Sequence, residues 1–418
     1  MNNYRKERRV VITGMGVIAP NGHDLKTFWN SIRLGISPMD YVTKFPTENL
    51  PSRAGAEVRN FNPADYMDPK LAKRLERSLH FGIAAAKNAT RDAGLDVSAL
   101  DPDRVGVVEG TSMSNMQAVL DGGEAFKKRG HRSISPSVMI NCYVGGGSGE
   151  IAEVLGIKGH AITLSSSSSS GNDVMGYAAN MIRHEEVDVM IAGGSEAPIV
   201  EEVWSGFIVS RAMSRNVSDP ARAMRPFDEK RDGFVLGEGA GFVVMEELAY
   251  ALGRGAHIYA EVLGHGRSCE AYHPVAPHPE GIGTRRAIEK ALREADIHPQ
   301  EVDYINPHGS ATQANDLTET IAIKKVFGED AYRLAVGATK PVTGHPMAAS
   351  GALETIICCL ALEHSTIPMT LNLEKPGEGC DLDYVEGVSR PYPIRVALNL
   401  NCGFGGKNSC LVLRKYPL

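Results

Sequence analysis

Ala161-Ile-Thr-Leu164, then Ser165-Ser-Ser-Ser-Ser-Ser170-Gly171, then the helical run Asp173–Arg183 form the stretch that decides the architecture. A short apolar strand runs into a turn of small residues, and the turn opens into a helix. A residue on such a turn sits at a helix N-terminus, where free N–H groups point outward and the dipole favours negative charge. An N-cap needs one or two serines, not six. The surplus marks the turn as a place where a nucleophile or an oxyanion is held.

The same alternation extends in both directions. Short buried strands are read over Val10–Gly16, Val105–Gly110, Val187–Gly194, Gly241–Glu246, Ile258–Gly264, Tyr304–Gly309 and Val396–Gly406, most of them ending in Gly. Stretches of helical period lie between them, at Leu71–Ala93, Gly283–Ala295 and Ser350–Leu362. Alternating strands and helices predict an α/β fold with sheets covered on both faces. The run Val105-Gly-Val-Val-Glu-Gly-Thr-Ser112 is similar to Tyr304-Ile-Asn-Pro-His-Gly-Ser310, and in each half a small-residue helix follows further on. This predicts two similar halves, 1–255 and 256–418.

The chain has 418 residues, with 44 Lys and Arg against 50 Asp and Glu, for a formal charge of −6. A mildly acidic balance argues against a nucleic-acid binder. No apolar run of the roughly 18–20 residues needed to span a bilayer is read. The basic start, Met1 to Arg9, leads into a strand without the apolar core of a secretory signal. Seven Cys at positions 142, 269, 358, 359, 380, 402 and 410 form no CxxC pair, so a reducing cytoplasm and no structural zinc are expected. Thr13-Gly-Met-Gly16 lacks the spacing of a nucleotide site, and no bound cofactor is expected.

Two further segments each place a His beside Gly between a strand and a helix. They are Asn306-Pro-His308-Gly-Ser310-Ala-Thr312, with Asp316 and Glu319 beyond, and Thr339-Lys340-Pro-Val-Thr343-Gly-His345-Pro-Met-Ala-Ala-Ser-Gly351. Neither His has metal-ligand spacing with another His or Cys. Imidazole N–H groups can instead donate to a developing oxyanion.

With these motifs in order, the chain resembles a β-ketoacyl-carrier-protein synthase of the elongating type, within the thiolase-like superfamily. The likeness runs from Arg9-Val-Val-Ile-Thr-Gly-Met-Gly-Val17 through Val189-Met-Ile-Ala-Gly-Gly-Ser-Glu-Ala197, Arg225-Pro-Phe-Asp228 and Arg231-Asp-Gly-Phe-Val-Leu-Gly-Glu-Gly239 to Asn401-Cys-Gly-Phe-Gly-Gly406. The resemblance implies a duplicated, five-layered αβαβα fold, a homodimer, and a substrate carried on the phosphopantetheine of an acyl carrier protein. It implies His308 and His345 as the catalytic histidines, Lys340 beside them and Glu319 as the acid that interacts with that Lys. It implies Phe404 as a gate, with Ser310 and Thr312 facing the pantetheine arm.

The family's nucleophilic Cys does not carry over. Its position, three before Gly171, is Ser168. Cys358 and Cys359 lie in an apolar helix, where core packing is the default. Cys402 stands where relatives often carry an aromatic, at the pocket floor. A thiol with a free pKa of about 8.5 ionises readily at a helix N-terminus, whereas a Ser hydroxyl needs a general base. Decarboxylation of a malonyl thioester does not need the sulfur, and the residues for it are present. The expectation is therefore a malonyl-carrier decarboxylase, resembling the Ser-bearing enzymes of polyketide β-branching cassettes that supply acetyl-carrier to an HMG-CoA-synthase-like partner. Three other readings stay open. They are a Ser-based acyltransferase or condensing enzyme with His308 or His345 as base, a silent subunit resembling a chain-length factor, and a synthase engineered from Cys to Ser. The two retained His weigh against the silent subunit. Ser167, where the family usually has Ala, weighs against the engineered change. For carrier docking, Lys70, Lys73, Arg74 and Arg77 are expected on one helix face at i, i+3, i+4 and i+7.

Overall fold

The computed structural model describes residues 8–113 and 115–416, so most of the basic start lies outside the described residues. Ten strands form its main sheet. The first five are β1 (Val10–Ile18), β2 (Val105–Gly110), β3 (Ala161–Leu164), β4 (Val189–Glu196) and β5 (Gly239–Glu247). The second five are β6 (Ala260–Cys269), β7 (Tyr304–Asn306), β8 (Ala335–Val336), β9 (Val396–Gly403) and β10 (Lys407–Arg414). Their order across the sheet is β8-β7-β9-β10-β6-β1-β5-β4-β2-β3. Read outward from the centre, each set of five runs first, fifth, fourth, second, third. Both sets share the same mix of parallel and antiparallel pairs. The sets meet where Val10, Val11 and Ile12 of β1 lie antiparallel to Val262, Glu261 and Ala260 of β6.

The helices complete a five-layered α/β stack. Outside the first set lie α2 (Arg77–Asp92), which follows the short α1 (Pro69–Ala72), and α3 (Gly146–Leu155). In the middle layer α4 (Ser170–Arg183) packs on a helix that begins at Ser350, and both touch strands of both sets. Outside the second set lie α5 (Ile282–Ala295) and α6 (Gln313–Phe327). The middle helix from Ser350 to His364 is α7. Met347–His364 has the length and mean hydropathy of a membrane span, a stretch the composition reading passed over, but 89% of it is buried here as core.

The two middle helices touch at their N-terminal ends. A Cβ on Gly171 would come 2.4 Å from the Ala352 nitrogen, and one on Gly351 would come 2.6 Å from the Asn172 nitrogen. Glycine on both sides is what lets the backbones approach this closely. The consequence is that the turns preceding α4 and α7, which carry Ser168 and His345, are brought together.

The expected single helix over Leu71–Ala93 is corrected to two. Asp68 caps α1 and Pro69 starts it, but the chain is extended at Glu76 before α2 begins. Lys70, Lys73 and Arg74 remain exposed. Arg77 does not join them on one face. It turns inward as a forked donor to the fully buried Glu238, with Nη2 at 2.6 Å from Oε1 and Nε at 3.0 Å from Oε2. The expected strand Val396–Gly406 ends at Gly403 and turns back as β10, a hairpin the Gly run concealed.

Candidate active site

Three of the six serines, Ser166, Ser169 and Ser170, have a local role in the turn. Ser170 Oγ donates to the Ser167 carbonyl at 2.6 Å and accepts from the Ser166 N–H at 2.9 Å. Ser169 Oγ donates to the Ser166 carbonyl at 2.7 Å, and Ser166 Oγ to Asp173 at 2.5 Å. These hydroxyls sew the turn to the first turn of α4 and hold Ser167 at φ 61°, a left-handed conformation unfavourable for a residue with a Cβ. Ser168 follows, buried, with its Oγ 3.1 Å from His345 Nε2.

His345 is placed by its backbone. Its N–H donates to the Val235 carbonyl at 2.8 Å, and its carbonyl accepts from the Gly237 N–H at 3.1 Å. Its Nδ1 meets Ser350 Oγ at 2.9 Å, and Phe234 lies edge-on to the ring. His308 follows β7, and its ring stands nearly perpendicular to that of His345, with centroids 5.3 Å apart. His308 Nδ1 is buried without a hydrogen-bond partner, which leaves Nε2 as the nitrogen able to serve the cavity. Burial, the Lys340 charge and the neighbouring His345 hold the His308 pKa well below the ordinary histidine value. Burial and Lys340 do the same for His345. Both rings are therefore neutral at physiological pH, each with one N–H to give.

The expected partner of Lys340 is corrected. Lys340 Nζ donates to the His308 carbonyl at 2.6 Å and pairs with Glu354 at 2.5 Å, not with Glu319. Glu319 instead accepts the backbone N–H of His308 at 2.6 Å and of Gly309 at 3.0 Å. Burial pushes its pKa up to about 7, against the lowering effect of those two bonds. Asn401 Nδ2 donates to the second oxygen of Glu354 at 2.9 Å. Sequence reasoning missed Glu354, Asn401 and Ser350. The signal for Glu354 was present, since it is the one acid within the apolar run Gly351–Leu362.

Ser168, His308 and His345 share one cavity of about 240 Å³ with Ser310, Thr312, Cys402 and Phe404. Ser310 and Thr312 bond to each other at 3.1 Å, and Thr312 also caps α6. Phe404 sits in the β9–β10 turn, 6.2 Å between ring centroids from Phe207. Burial drives the Cys402 thiol far above its ordinary pKa, so it supplies no thiolate to the cavity. Cys358 and Cys359 are sealed in α7. Lys70, Lys73 and Arg74 stand outside this cavity.

Residues 7–251 match the model of the beta-ketoacyl synthase N-terminal domain, and residues 259–374 match that of the C-terminal domain. The chain belongs to the beta-ketoacyl synthase family. Relatives of this ketosynthase include a 3-oxoacyl-[acyl-carrier-protein] synthase 2 of Coxiella burnetii. It is 42% identical over 98% of this chain and 99% of its own length. A Synechocystis protein of the same name is 40% identical over the whole of both chains. Among solved structures, the ishigamide ketosynthase/chain length factor superposes with a TM-score of 0.92 at 34% identity, covering 98% of this chain and 100% of that one. A type II polyketide synthase acyl-carrier protein in complex with its hexaketide-bound ketosynthase gives 0.91 at 33% identity, with the same coverage. The ketosynthase thus has the thiolase-like fold expected of its motifs.

Proposed function

We propose that this ketosynthase-family enzyme decarboxylates malonyl-carrier protein to acetyl-carrier protein, in the β-branching steps of polyketide assembly. The observation that carries the reading is the state of His345. Its Nε2 is within reach of Ser168, but its Nδ1 meets the hydroxyl of Ser350 and not a carboxylate, and Lys340 adds positive charge nearby. An imidazolium formed by taking the Ser168 proton would have no counterion, unlike the acid-supported His of a Ser-His-Asp triad. His345 is a poor base here. As a neutral ring it is a good donor.

The steps follow from that. The malonyl thioester oxygen lies between the ring N–H groups of His308 and His345. The bond from Cα to the carboxylate breaks, CO2 leaves, and its electron pair moves into the thioester as an enolate. The two N–H groups stabilise the oxyanion, and each such donor is typically worth ~10²–10³ in rate. Phe404, which lines the cavity, limits water around the carboxylate, which favours release of neutral CO2. A proton from water then converts the enolate to the acetyl thioester. Burial and the charge of Lys340 keep both rings neutral, and Ser168 orients the thioester by a hydrogen bond.

The same reading takes an acyl carrier protein as the partner, docking near Lys70, Lys73 and Arg74. It takes the pantetheine arm along Ser310 and Thr312, with no bound cofactor, and a cytoplasmic setting beside an HMG-CoA-synthase-like enzyme. It treats 1–255 and 256–418 as the two halves of a duplicated unit, and a second copy as the dimer partner. In support of that dimer, β3 is an end strand, and Met139, Ile140, Tyr143 and Val144 before it are exposed. A Ser-based condensation is the second reading, favoured by the 3-oxoacyl synthase relatives and by the 3.1 Å Ser168–His345 contact. Intact-mass analysis of malonyl-loaded carrier after incubation with the enzyme separates the two. Loss of CO2 from the carrier with an unmodified enzyme supports decarboxylation, and acyl-enzyme on Ser168 contradicts it.

A further inference from the structure

Asp173 lies in the first turn of α4, the helix whose N-terminus faces the Ser168 turn. Three donors hold its carboxylate. Ser166 Oγ donates to Oδ2 at 2.5 Å, Ser409 Oγ to Oδ1 at 2.8 Å, and His265 Nε2 lies 3.2 Å from Oδ1. His265 Nε2 also meets Ser409 Oγ at 2.8 Å. The His265 ring is wedged against Gly176, where a Cβ would fall 1.9 Å from Nδ1. Burial alone would raise the Asp173 pKa, but the bonds from His265, Ser166 and Ser409 and the His265 charge together leave it below the ordinary carboxylate value. Asp173 is thus an ionised, immobile carboxylate one turn inside the helix.

A helix N-terminus carries roughly half a positive charge, and that field is what lowers the pKa of a thiol or steadies an anion placed at the turn. In α4 this positive end already has an anion of its own. We infer that Asp173 determines reaction specificity: its carboxylate cancels the helix-end field at residue 168, disfavours an anionic nucleophile there, and leaves the His308–His345 pair as the place where negative charge is stabilised. The inference rests on the decarboxylative reading and adds a residue that enforces it. His265 is the titratable group that faces Asp173.

The test is the thiol of the full-length Ser168→Cys protein, with and without Asp173→Asn. Alkylation of the introduced thiol by iodoacetamide is followed by peptide mass, which separates it from the seven native cysteines, as a function of pH from about 7.5 upward. The expected result is a midpoint lower by about one unit in the Asn variant. Well below the midpoint, alkylation rises about threefold, because a tenfold gain in thiolate is partly offset by lower nucleophilicity. A midpoint that stays or rises in a protein of unchanged circular dichroism overturns the inference, as does a loss of Tm without a midpoint shift. Should the Asn variant not fold, Asp173→Ser decides in the same way. The thiol midpoint does not depend on malonyl turnover. A lowered midpoint alongside a wild-type enzyme that fails to release CO2 therefore supports the field effect while removing the decarboxylase reading.

Discussion

The ammonium of Lys340 and the carboxylate of Glu354 form an ion pair at 2.5 Å with both side chains sealed from solvent. Neither charge has water to fall back on. Glu354→Gln should therefore cost about 3–5 kcal/mol in stability, the usual penalty for leaving one buried charge unpaired. The double change Lys340→Met with Glu354→Leu should recover much of that, because the pair's desolvation is removed with it. Activity should not recover, since Lys340 also holds the His308 carbonyl. Urea melts and malonyl-carrier turnover on both variants and the wild type measure this. A Glu354→Gln protein as stable as wild type would contradict the pairing.

Glu319 gives the enzyme an acid limb near neutrality. Its two oxygens accept the backbone N–H groups of His308 and Gly309, and burial raises its pKa to about 7. Above that pH the carboxylate is ionised and holds both bonds. As pH falls through it, one oxygen gains a proton and the grip on the His308 loop weakens. The turnover rate should fall as pH drops through about 7, and Glu319→Gln should be slower at pH 8 without that inflection. An inflection kept in the Gln variant would assign it to another group.

Much of the fold was legible because strands buried on both faces read as short apolar runs ending in Gly. Val105–Gly110 appears in the structure with the expected ends. Leu71–Ala93 misled because its apolar spacing continues across Glu76, where the backbone turns out of the helix, and periodicity does not register one extended residue. In the site, His308 and His345 were visible as histidines beside glycines in strand-to-helix turns, and Lys340 only through the family resemblance. Their convergence on Ser168 was not, since it depends on Gly171 and Gly351 letting two helices 180 residues apart touch end to end. Glu319 and Glu354 exchanged roles for a similar reason. Both are acids on helices, and only packing decides which one Lys340 reaches.

The corrected basic surface sharpens the docking test. Reversing Lys73 and Arg74 to Glu should raise KM for malonyl-carrier and weaken its salt dependence, while a small malonyl-pantetheine mimic turns over almost unchanged. Arg77→Glu should behave differently and destabilise the protein, because it sets a like charge against buried Glu238. Equal losses on carrier and mimic for the Lys73 and Arg74 change would remove the docking assignment.

The central claim is that the histidine pair, and not Ser168, carries the chemistry. The direct measurement is CO2 release from malonyl-carrier by Ser168→Ala, His308→Ala and His345→Ala, with the carrier product identified by intact mass. Ser168→Ala should keep a substantial part of the wild-type rate and yield acetyl-carrier, while each His variant should lose ~10²-fold or more. A Ser168→Ala enzyme as inactive as the His variants would contradict the account.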